Sequence, residues 1–151
     1  MRGSPSLTRL SFLPGASQPA LQTPGPLPAW LVPAVEAVLG DLQQPTSVAL
    51  TPGYLPDDQL DKVGTVVFEE ADGHRFGFGV TSDGPTADLL LDLARGLQEN
   101  FPELAGAWGQ ARPNCPGHPH PAEPIGHDDA AWWACPREGR PLAPIGSLRH
   151  L

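Results

Sequence analysis

Val63-Gly64-Thr65-Val66-Val67-Phe68-Glu69-Glu70-Ala71-Asp72-Gly73-His74-Arg75-Phe76-Gly77-Phe78-Gly79-Val80-Thr81 is the stretch on which the reading of the fold turns. Two runs of β-branched and aromatic residues flank Asp72-Gly73, a pair suited to the positive φ angles of a tight reversal, so the segment predicts a β-hairpin. With Asp72 and Gly73 as a two-residue turn, Val67 faces Phe78, Thr65 faces Val80 and Glu69 faces Phe76. Because side chains alternate along a strand, Val67 and Phe78 then share the core face. Val66 and Phe68 fall on the opposite face beside Gly79 and Gly77, where missing side chains leave room for a ring.

Two strands cannot bury enough surface alone, so cover must come from the flanks. Upstream, Leu31, Val35, Val38 and Leu42 recur at helical spacing and predict a helix over Ala29–Gln44, with Pro33 confined to its first turn. Downstream, Leu90, Leu93, Ala94, Leu97 and Phe101 make a stripe that predicts a second helix over Pro85–Asn100 lying on the hairpin. Pro102 ends it or opens a short successor through Trp108. Ser47–Thr51 reads as a short strand and Pro52–Asp61 as a turn-rich link. The expected class is α+β: an antiparallel sheet with helices on one face, plus a small zinc-ribbon-like C-terminal unit. The expected division is a Pro-rich arm over 1–27, extended or disordered, an α+β core over 28–111 and a Cys/His unit over 112–151. Leu7, Leu10, Phe12 and Leu13 form the arm's main apolar cluster.

The 151 residues include 20 Pro and 17 Gly, so the helices and strands occupy less of the chain than its length suggests. The net charge of −8 is concentrated in residues 36–110, where thirteen acids meet only Lys62, Arg75 and Arg95. Such a field repels phosphate backbones and argues against nucleic acid as the partner. No apolar run approaches the roughly 18 residues of a membrane span, and Pro14-Gly15 interrupts the N-terminal apolar patch, so a cytoplasmic, membrane-free protein is expected. In that reducing setting Cys115 and Cys135 predict metal binding or free thiols before a disulfide.

The C-terminal segment carries the chemistry. Cys115-Pro116-Gly117-His118 has the two-residue gap that aims two side chains at one ion, and Cys135-Pro136-Arg137-Glu138-Gly139 repeats the build with Glu138 in the second place. Two such turns at this separation are the spacing of a zinc ribbon, and thiolate with imidazole suits zinc. Cys115, His118 and Cys135 fill three tetrahedral positions. His120, Glu138 and His127 compete for the fourth, with His120 ranked first because it is close in sequence and brings nitrogen. Asp128-Asp129 and Ala130–Ala134 are expected as a turn and a strand, on which Trp132 and Trp133 point to opposite faces.

Cys115–Pro121, Trp132–Pro136 and Gly139–Pro141 together read Cys-Pro-x-His-x-His-Pro, then Trp-x-x-Cys-Pro, then Gly-Arg-Pro. This resembles a pattern in small, uncharacterised proteins of high-GC bacteria. The resemblance covers the C-terminal part alone and implies a shared Cys/His unit; it implies no activity.

For function, the absence of Gly-x-Ser-x-Gly, a phosphate-binding loop or a dinucleotide fingerprint leaves three classes. The expected one is a protein-interaction or adaptor module with a structural zinc, its partner another protein. The second is a zinc-dependent hydrolytic enzyme with Glu123 or Glu138 as general base. The third is a zinc-ribbon nucleic-acid reader using Arg112, Arg137, Arg140 and Arg149, which the acidic middle opposes.

Overall fold

The computed structural model describes residues 23–43, 47–56, 63–81, 86–104, 110 and 112–148. The arm's apolar cluster, Trp108 and Arg149 lie outside the described residues. Three strands, β1 (Leu50–Pro56), β2 (Gly64–Glu70) and β3 (Arg75–Val80), form an antiparallel sheet in the order β1-β2-β3.

The hairpin forms, but its register is one residue away from the expected one. Val66 faces Phe78, Phe68 faces Phe76, and Val67 faces Gly77. The cause is the turn. Glu70 N donates to His74 O at 2.8 Å and Gly73 N to Glu70 O at 2.9 Å, so the loop is the three residues Ala71-Asp72-Gly73, with Gly73 at φ 92°. A three-residue loop of this kind ends in a left-handed position that glycine fills without cost, and it shifts every pair by one relative to a two-residue turn. The core face therefore carries Val66, Phe68, Phe76, Phe78 and Val80, with the Phe68 ring stacked on Phe76 at 5.4 Å and on Phe78 at 6.0 Å. Val67 lies on the outer face, buried all the same, where Pro24 sits over its cross-strand neighbour Gly53.

The first strand also runs further than expected, through Pro52 and Pro56 of the supposed link. Tyr54 explains how. Its N–H and C=O point away from β2 to Gly25, in bonds of 3.0 Å each. Pro52 and Pro56 share its parity, so the donors they lack would face the outer edge and the β1–β2 ladder is intact.

Helix α1 (Val32–Leu42) buries Ala34, Val35, Val38 and Leu42, with Pro33 in its first turn. Helix α2 (Ala87–Asn100) is capped by Thr86, whose hydroxyl accepts from Leu89 N at 3.2 Å, and Asp88 complements the helix dipole. A 3-10 turn over Phe101–Glu103 follows. Leu89, Leu93 and Leu97 are fully buried, each stabilising by about 1.5–3 kcal/mol. The helix packs on α1, on β3, and on two strands of a second sheet. Gly96 permits the approach to the first sheet: a Cβ there would stand 2.5 Å from the Phe78 ring.

That second sheet is the antiparallel meander β4 (Glu123–His127), β5 (Ala130–Ala134) and β6 (Pro141–Pro144). Asp128 and Asp129 make the expected turn between β4 and β5, at φ 52° and 60°, as a left-handed two-residue loop requires. Trp133 and Trp132 point to opposite faces: Trp133 is fully buried in the core and Trp132 half-buried outside it. Two helices and two antiparallel sheets make the α+β class, with one hydrophobic core running from Val66 and Phe68 through α1 and α2 to Trp133 and Ile145. None of the described helices is long and apolar enough to cross a membrane.

Candidate metal centre

Each cysteine sits in a turn that its own sequence dictates. In Cys115-Pro116-Gly117-His118, His118 N donates to Cys115 O at 3.1 Å, with proline first and Gly117 at φ 78° second in the reversal. Cys115 N in turn donates to His120 O at 3.2 Å, and Asn114 bridges to Pro121, so residues 114–121 close into a small loop. Cys135 follows β5 directly after a bulge at Trp133/Ala134, a distortion that re-aims the next side chain. Cys135 N donates to Arg140 O at 3.0 Å and Gly139 N to Cys135 O at 2.7 Å, with Gly139 left-handed at φ 68°.

The two turns meet. One ligand atom from each of Cys115, His118, His120 and Cys135 lies within 4.8 Å of all the others, a group able to hold a metal ion. Both cysteines are buried free thiols, and the two histidines are partly covered. His118 Nδ1 lies 3.9 Å from Cys135 Sγ and 2.9 Å from His120 Nε2. Two imidazole nitrogens that close attract only through a shared proton or cation. The other nitrogen of each ring faces an oxygen: His120 Nδ1 is 3.2 Å from Pro121 O, and His118 Nε2 is 3.2 Å from Glu138 Oε2. Burial, and then the hydrogen bond with Cys135, push the Cys115 thiol up from its ordinary pKa. The hydrogen bond from Arg140 holds the Glu138 carboxyl below its ordinary value.

The remaining sequence candidates lie elsewhere. His127, at the end of β4, pairs with Asp128 at 3.3 Å and meets Trp132 edge-on; it is outside the group. Glu123 is exposed at the start of β4. Glu138 contacts His118 and is not among the converging four. Arg112 turns inward: it is buried, donates to Leu42 O at 2.8 Å and to Gln110, and lies over the Phe101 ring.

Two supporting residues escaped the reading of the sequence. Gln98 Nε2, on α2, donates to Arg112 O at 3.0 Å and to Ala122 O, holding both ends of the segment that carries three of the four donors. Asp41, buried on α1, accepts from Trp133 Nε1 at 2.7 Å, from Gly146 N, and from Leu148 N at 3.1 Å, fastening β5 and the chain after β6 to the helix. Position was the available signal: Asp41 lies three residues beyond Val38 and Gln98 four beyond Ala94, polar residues within buried stripes. Compared with protein-family models, with curated proteins and with solved structures, the chain matches none.

Proposed function

We propose that the four-donor group binds zinc as a structural ion and that the chain acts as a protein-interaction module, its partner another protein. The observation that carries this reading is the convergence of four protein donors, two of them buried thiols, on one point. Two sulfurs and two nitrogens complete the tetrahedron zinc prefers, whereas a hydrolytic zinc keeps a position open to water. The ion would clamp the loop over 114–121 to the end of β5 and so stiffen the second sheet. On the outer face of that sheet Ile125, Trp132 and Pro144 form one cross-strand row, a half-exposed apolar strip suited to a protein contact. A nucleic-acid role draws little support, since Arg112 is buried and Arg140 is engaged by Glu138 at 3.0 Å.

Metal analysis of the purified chain should find one zinc per molecule. Cys115→Ser should lose the zinc and the amide protection of the second sheet together. Trp132→Ala should keep both, yet release the partner that the wild-type chain retains. A folded Cys115→Ser protein that loses a zinc-dependent hydrolysis would overturn this reading in favour of an enzyme.

A further inference from the structure

We infer that Glu138 is a positioning residue that holds His118 in the one tautomer able to bind the metal, and that it is not itself a ligand. The inference rests on the reading of the cluster as a zinc site. Either ring nitrogen of His118 is capable of binding zinc, so the ring has to choose one. Nδ1 is the nitrogen turned into the group, 3.9 Å from Cys135 Sγ and 2.9 Å from His120 Nε2. Nε2 is turned out, 3.2 Å from Glu138 Oε2. An ionised carboxylate only accepts, so the proton of the neutral imidazole resides on Nε2 and the lone pair of Nδ1 is left for the ion. The carboxylate is itself anchored, for Arg140 Nε donates to its second oxygen, Oε1, at 3.0 Å.

The placement of these groups makes the arrangement specific. Glu138 and Arg140 belong to the same turn as Cys135, the turn closed by Gly139 N to Cys135 O and by Cys135 N to Arg140 O. One turn thus supplies a ligand directly and orients a ligand of the other turn through a carboxylate. Glu138 stands where the paired turn, built on Cys115 and His118, carries its second donor; it holds the two turns together without entering the first coordination sphere. His120 needs no such help, since the carbonyl of its neighbour Pro121 receives its Nδ1 proton at 3.2 Å.

The test compares the full-length wild type with Glu138→Ala, Glu138→Gln and Arg140→Ala, measuring zinc affinity by competition with a chromophoric chelator. Outer acceptors of metal-bound histidines typically contribute about 10–100-fold in affinity, so Glu138→Ala should weaken zinc by that order. Glu138→Gln keeps an acceptor oxygen and should recover most of the loss. Arg140→Ala should fall between Glu138→Ala and wild type. Two readouts separate orientation from ligation. Imidazole nitrogen NMR of the zinc-loaded wild type should show His118 protonated at Nε2, and saturating cobalt should give the same two-sulfur, two-nitrogen spectrum in wild type and Glu138→Ala. A cobalt spectrum that changes its ligand set in Glu138→Ala would make Glu138 a ligand and overturn the inference. So would equal zinc affinity of Glu138→Ala and wild type. Wild type that takes up no zinc overturns the site reading itself, a result distinct from both.

Discussion

Asp41 shows how much one buried carboxylate contributes when every donor around it is already committed. Trp133 Nε1, Gly146 N and Leu148 N all converge on it from the other end of the chain. Asp41→Ala would strand those donors in the interior, where an unmet polar group costs about 1–3 kcal/mol. The expected loss is about 2–4 kcal/mol, read as a lower urea midpoint at unchanged slope. Gly139 acts through backbone conformation. At φ 68° it holds the turn between Cys135 and Arg140 in a region where any Cβ costs about 1–2 kcal/mol. Gly139→Ala should therefore destabilise the folded chain by about 1–2 kcal/mol, read as a lower urea midpoint.

At the scale of elements, α2 and the hairpin are joined by a ring resting on a bare backbone. Gly96→Ala would push a methyl to 2.5 Å from Phe78, and overpacking of that kind costs about 1–3 kcal/mol. Trimming the ring should relieve it, so Gly96→Ala should be less destabilising in a Phe78→Leu background than in wild type, a double-mutant cycle measured by thermal unfolding. The two helices were legible because their stripes, Leu31 to Leu42 and Leu90 to Phe101, follow one period over three turns. The hairpin was legible as a hairpin, while its register was not. Asp72-Gly73 fits both a two-residue and a three-residue loop, and only the bond from Glu70 N to His74 O selects the longer one. The extension of β1 through Pro52 and Pro56 was hidden because proline reads as a strand breaker until the free edge of the strand is known. Cys115, His118 and Cys135 were legible from their spacing, which left the fourth place open among His120, Glu138 and His127. The contact of Glu138 with His118 was not, since only the fold shows which side of the imidazole the carboxylate reaches.

For the whole molecule, the metal centre and the core depend on each other, because the loop over 114–121 hangs from Gln98 of α2 and Cys135 continues β5. Chelation should lower the melting temperature and remove protection from β4, β5 and β6 before β1, β2 and β3, as hydrogen exchange would resolve. Binding should also be steeply pH-dependent. Burial raises the Cys115 thiol, so at neutral pH Cys115 enters the site as a thiol and must release a proton to the solvent. The affinity should consequently fall as pH falls, by up to about tenfold per unit for that proton, and isothermal titration in buffers of different ionisation enthalpy would register its release. The rung between Gly25 and Tyr54 bears on a different hazard. An edge strand with open donors and acceptors is a template on which other chains grow, and here Gly25 occupies the Tyr54 position of that edge from within. A chain truncated to begin at Pro28 would keep its core and its thiols, yet present β1 bare. Its free edge would still offer little to another chain, because Pro52 and Pro56 carry no N–H on that side, so the truncated chain should stay free of fibrils and lose only the rung that Tyr54 shares with Gly25.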